Sequence, residues 1–264
     1  MKVCIFLYTS SKAKDKIKYM NAFYNGIKHI GIDDVQMISD LVYEKCDIAI
    51  IFGFYGQNMG DIQKFRKHIY KNQIKNNKEC IFIDADLFRF LGENGAKDKN
   101  NDNENTFVRL PYKSVFFDKM KSFNDDDNRR WKIISNTKKI KLNEYRTDGE
   151  HILLCLNSNP KYGFGWSAGD LDIYKWASNK VEEIRKYSNR RILIRFHPNA
   201  KEDVQSTIPL ELFSSYKDIY FSGGVLSENK NIIKNTSLID DCKDAWCAVA
   251  YNTSSIITPM IYGI

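Results

Sequence analysis

The chain has 264 residues, 43% of them apolar and 13% aromatic. That is enough for one large or two medium cores, and it excludes disorder over most of the length. The formal net charge of +7 favours anionic partners such as nucleic acid, anionic lipid or a nucleotide, although an abundance of Lys and Asn from AT-rich coding accounts for it equally well. No apolar run approaches the roughly 18 residues of a membrane span.

In chain order, the first half alternates strand-like and helix-like segments. Residues 3–8 read as a strand, too short an apolar run for a signal peptide and without a small-residue cleavage site. Thr9, Ser10 and Ser11 have the look of a helix cap. Residues 15–29 carry Ile17, Met20, Phe23, Tyr24 and Ile27 at helical spacing, with Gly31 as the stop. Residues 35–38, 46–52 and 80–83 read as further strands, and 61–76 as a basic amphipathic helix. Asp84 and Asp86 follow the last of these strands. Strands alternating with helices at this spacing predict βαβ units and a parallel sheet.

Residues 94–105 are polar and of low complexity and read as a surface loop. The stretch 111–148 is mixed, with a charged turn at 124–128. A second alternating series begins near Glu150: strands at 151–156, 191–196, 219–221 and 245–251, a helix at 170–187, a short helix from Leu238, and a helix at 255–262. The predicted division therefore places one α/β domain at 1–148 and another at 149–264. Residues 260–264 look like the run into a further strand, which leaves two expectations: a native chain that continues past Ile264, or a short family member.

The six cysteines are scattered, without a C-x-x-C pair. Four lie in or beside apolar runs, as structural thiols do. Zinc binding has little support, and a reducing, cytoplasmic setting fits. There is no Walker loop, no G-x-G-x-x-G after the first strand, no G-x-S-x-G and no H-E-x-x-H, which sets aside P-loop, dinucleotide, serine-hydrolase and zincin chemistry.

Two segments carry the chemistry. Residues 192–199 are an apolar strand ending in Arg195, Phe196, His197, Pro198 and Asn199. Residues 251–255 follow another apolar run with Asn252, Thr253, Ser254 and Ser255. Both predict polar groups at the carboxyl end of a buried parallel strand, where open α/β sheets bind ligands. A cation, an imidazole and a hydroxyl cluster suit a phosphate. As structure alone, His197 is a turn histidine, and 252–255 are a helix cap whose free N–H groups would also suit an anion.

The strand ending in His197-Pro198, paired with Asn252-Thr253-Ser254-Ser255 and Gly263, resembles the bacterial capsule-type glycosyltransferases, including sialyl-, Kdo- and glycerophosphate-transferring members. The resemblance covers roughly 150–264. It implies a GT-B-like α/β fold, two Rossmann-like parallel-sheet domains facing across a cleft. It also implies that His197, Ser254 and Ser255 bind the donor's phosphates; the residues themselves add Arg195 as further charge and Asn252 and Thr253 as part of the same anion-binding helix start. The family's acidic-Gly motif is echoed only in part by Asp148-Gly149. Residues 81–89, with Asp84 and Asp86, resemble the strand-and-aspartate element of phage DNA β-glucosyltransferases. There an aspartate is the general base, the matching position here being Asp86 and then Asp84. As structure alone, either caps a turn.

These readings predict a glycosyltransferase using a UDP- or CMP-linked sugar as co-substrate, with no further cofactor and no metal, although Asp84-Ala85-Asp86 has the spelling of a metal motif. The basic helix at 61–76 and the phage-like element lean toward hydroxymethylated DNA as acceptor. The alternatives are a capsule or lipopolysaccharide-type surface glycan, and a nucleotide- or nucleic-acid-binding module without catalysis.

Overall fold

The computed structural model describes residues 1–7, 14–53, 60–84, 88, 108–110, 128–157, 172–196, 210–223, 236–251 and 253–264. They fall into two compact units, Met1–Lys138 and Lys139–Ile264. Residues 139–148, grouped with the first half in the sequence reading, hydrogen-bond into the second. Asn143 donates its backbone N–H to the Ile261 carbonyl (3.0 Å), and Arg146 donates to that of Gly263 (2.7 Å).

In the first unit, β1 (Val3–Phe6), β2 (Val35–Ile38), β3 (Ile48–Phe52) and β4 (Glu79–Ile83) form one parallel sheet in the order β2-β1-β3-β4. Helix α1 (Lys14–His29) links β1 to β2 and helix α2 (Asp61–Lys75) links β3 to β4. They cover opposite faces: Val3, Ile5 and Met20 pack together on one, and Cys4, Phe6, Ile69 and Phe82 on the other. A strand buried on both faces has no polar side to alternate with, which is why β1 and β3 read as continuous apolar runs. Helix α3 (Arg129–Lys138) falls in the stretch that reads as mixed; it buries none of its residues fully.

In the second unit, β5 (His151–Cys155), β6 (Arg191–Arg195), β7 (Ile219–Ser222) and β8 (Ala245–Ala250) form a parallel sheet in the order β7-β6-β5-β8. Helix α4 (Ile173–Arg185) is capped by Asp172, whose carboxylate accepts from the N–H groups of Tyr174 (2.9 Å) and Lys175 (3.2 Å). It buries Ile173, Ala177 and Val181 against Ile152, Leu154, Ile192, Ile194 and Phe196. On the opposite face Leu153, Cys155 and Leu193 meet Cys242 of α5 (Leu238–Cys242) and Tyr262, just past α6 (Ile257–Ile261). The predicted helix at 255–262 is a 3-10 turn, Ser254–Ile256, running into α6, and a further 3-10 turn occupies Leu210–Phe213.

Two glycines allow close approaches in the second unit. At Gly149 (φ +153°) a Cβ would lie 2.5 Å from the Trp246 backbone, and at Gly263 (φ +75°) it would overlap the Glu144 carbonyl. The partial acidic-Gly echo at Asp148-Gly149 thus has a packing reason. No helix among the described residues is long and apolar enough to cross a membrane.

Candidate functional site

In each unit the strand order reverses once, between β1 and β3 and between β5 and β8. The carboxyl ends flanking such a reversal splay their following loops apart and leave a crevice. In the second unit parallel register sets Ser222, Arg195 and Cys155 side by side at the ends of β7, β6 and β5. Neighbours in register point to the same face, here the face covered by α5, so a polar row closes the carboxyl edge.

Arg195 lies in that row with its side chain 13% exposed, against an Asp241 side chain only 2% exposed. Its Nη1 donates to Asp241 Oδ2 and to the Thr236 carbonyl, the latter at 3.0 Å. Asp241 also accepts from Ser222 Oγ at 2.6 Å and Thr236 Oγ1 at 2.5 Å. A buried carboxylate is tolerable only with such partners, since an unpaired charge out of water is heavily penalised. The predicted cation is therefore present at the strand end, and it is already paired. Asp241, Ser222 and Thr236 were not singled out from sequence, and nothing in the linear pattern marks them.

After β8 the hydroxyl cluster is organised by its own hydrogen bonds. Thr253 caps the 3-10 turn, its Oγ1 accepting from the Ser255 N–H at 3.4 Å and lying 3.0 Å from Ser255 Oγ. Ser255 also lies close to the Cys155 thiol. Burial pushes that thiol up to about 11, with Ser255 and the Arg195 charge pulling the other way. Arg195 and Ser255, 60 positions apart in the chain, thus both act on Cys155 at the order reversal. Ser254 is exposed at the start of the turn. His197 and Asn252 lie outside the described residues.

In the first unit Asp84 follows β4 and bridges antiparallel to Arg109, exchanging both backbone hydrogen bonds (2.9 and 3.0 Å). Its carboxylate is ion-paired with the Arg109 guanidinium. That engagement favours the structural reading of Asp84 over the role of proton acceptor. Asp86 lies outside the described residues. An arginine unremarked in the sequence reading comes to the end of β3: Arg66 of α2 lies against Gly53, where a Cβ would sit 3.3 Å from its Nη1. Gly53 has φ +71°, so glycine there serves both the turn and the guanidinium. Burial holds the Arg66 guanidinium below its ordinary value.

Among the described residues no group of three or more His, Cys, Asp or Glu side chains is arranged to hold a metal ion. The six thiols are free; desolvation raises Cys4 and Cys242 to about 12 and Cys80 further. Burial thus keeps these thiols protonated.

The surplus positive charge is uneven. Residues 1–138 hold 24 Lys and Arg against 18 Asp and Glu; residues 139–264 hold 16 against 15. On α2, Lys64, Lys67, Lys71 and Lys75 recur at one per turn on one side of the helix. Lys64 lies 3.6 Å from Asp61, the helix's one acidic residue.

No protein-family model matches the chain. A search of curated proteins finds no match.

Proposed function

We propose that the chain is a nucleotide-sugar-dependent glycosyltransferase of the GT-B kind. The second unit would bind the donor's phosphates at the carboxyl edge of its sheet, and the first would present the acceptor, a hydroxyl carried on a modified base in DNA. The observation that carries the reading is that Arg195 stands in register beside Cys155, at the end of the strand that flanks the order reversal, with Ser255 close to the same thiol. Phosphate recognition needs a cation and hydroxyl donors converging from separate strands, and the nearness of Arg195 and Ser255 to one thiol supports it.

In this mechanism the acceptor oxygen attacks the anomeric carbon as the bond to the donor phosphate breaks. The acceptor proton passes to the Asp86 carboxylate, since Asp84 is engaged by Arg109. Arg195, His197, Ser254 and Ser255 neutralise the charge that grows on the leaving phosphate. The charge surplus of the first unit and the lysine stripe of α2 support a polyanionic acceptor over a neutral glycan.

The test is a thermal-shift screen against UDP-, CMP-, CDP- and GDP-sugars, followed by transfer of a labelled sugar to hydroxymethylated DNA or to a glycan mixture. A donor that binds the native form raises its melting temperature. His197→Ala and Asp86→Asn should then lose transfer while melting as the unaltered protein does. A protein stabilised by none of the four donors is not this enzyme. The engagement of Arg195 by the buried Asp241 and of Asp84 by Arg109 favours, as a second reading, a nucleotide- or nucleic-acid-binding module; binding without turnover would decide for it.

A further inference from the structure

We infer that Asp241 is a positioning residue for Arg195: it anchors one edge of the guanidinium so that the opposite edge meets a phosphate at the carboxyl edge of the second sheet. The inference rests on the proposed role of Arg195 as a donor-phosphate ligand.

An arginine has five N–H donors in a rigid fork, and a pairing built only for strength uses two of them side by side on one carboxylate. Arg195 does not pair in that way. Nη1 alone reaches Asp241 and the Thr236 carbonyl, and among the described residues no acceptor meets Nε or Nη2. Asp241 in turn fills its oxygens with three donors from three segments, Ser222 at the end of β7, Thr236 before α5 and Arg195 at the end of β6. The carboxylate is thus fixed from several sides, and it fixes one corner of the guanidinium.

Gly223 packs against Arg195. It follows β7 with φ +68°, and a Cβ there would lie 2.8 Å from the Phe196 carbonyl and 3.5 Å from Arg195 Cγ. Any larger residue would place its side chain against Arg195. A cation held on one side by Asp241, at the carboxyl edge beside the strand that flanks the order reversal, is arranged to receive an anion.

The experiment measures nucleotide affinity by calorimetry, using whichever of UDP, CDP, GDP or CMP raises the melting temperature. The variants are Arg195→Ala, Asp241→Asn, the two combined, and Ser222→Ala, each assayed well below its own melting temperature. Arg195→Ala should weaken binding about tenfold, the worth of one charge-assisted hydrogen bond. Asp241→Asn should weaken it comparably, and add nothing further in the Arg195→Ala background, because residues acting through one another are not additive. Ser222→Ala, which leaves the ion pair in place, should have the smaller effect.

A purely structural Asp241 would lower the melting temperature and leave affinity unchanged, and that result overturns the inference. So does an Asp241→Asn loss of equal size in both backgrounds. If Arg195→Ala binds as the unaltered protein does, the phosphate role of Arg195 itself fails, and the inference with it. Should Asp241→Asn not fold, Ser222→Ala combined with Thr236→Val removes two of the carboxylate's three side-chain donors and must weaken binding severalfold.

Discussion

The two units use the same ingredients, four parallel strands with helices on both faces, and bring an arginine to the carboxyl edge in different ways. In the first the guanidinium comes from a helix: Arg66 extends from α2 to Gly53. In the second it comes from the sheet itself, as the last residue of β6. A helix-borne arginine can lay its stem along the sheet and carry its charge to the rim. A strand-borne one starts inside the sheet and needs a counter-charge at the same depth, which Asp241 supplies. The second unit therefore holds a buried polar network at its candidate site. In the first, the charged pair Asp84–Arg109 stands beyond the outer strand β4.

The units also differ in tightness, and the largest expected effects test this. Gly149→Ala and Gly263→Ala should each destabilise the second unit by about 3 kcal/mol or more, because both combine a positive φ with backbone in the way. Gly53→Ala in the first unit meets the tip of a side chain that can swing aside and should lose about 1–2 kcal/mol. Urea denaturation measures both, and equal losses in the two units would erase the distinction. Next in size is Arg109→Ala. It leaves the half-buried Asp84 carboxylate without its cation, and the first unit should lose about 2 kcal/mol. An unchanged denaturation midpoint would show that the pair contributes nothing.

The smallest effect separates surface charge from buried charge within the second unit. The Lys243 ammonium, together with Ser237, holds the Asp240 carboxyl down to about 2. A depressed carboxylate stabilises the fold above its unfolded value near pH 4, and that stabilisation is lost as the pH falls through about 2. The melting temperature of the unaltered protein should exceed that of Asp240→Asn slightly at pH 5, with the gap closing between pH 4 and pH 2. A gap that persists below pH 2 would mean that Asp240 acts through something other than its charge.

Much of the secondary structure was legible because burial leaves a period or an unbroken run. The apolar stretches at 46–52 and 191–196 announced β3 and β6, and the helical spacing at 15–29 announced α1. Helix α3 was not legible, since it buries no residue fully and its short apolar face, Trp131 and Ile134, is set among charged residues. At the candidate site, Arg195 and Thr253–Ser255 could be picked out because each follows an apolar run. Their partners could not: Asp241 is 46 positions from Arg195 and sits in a short helix that looks like any charged turn.

The sequence by itself determined that this is an α/β protein of parallel strands, because side chains buried on two faces must be apolar wherever they fall in the chain. Only the tertiary structure decided the strand orders, and with them which residues become neighbours. A hydrophobic run states that it will be covered without stating by what. The pairing of Arg195 with Asp241, of Asp84 with Arg109 and of Ser255 with Cys155 follows from how the strands line up, and no local pattern records that.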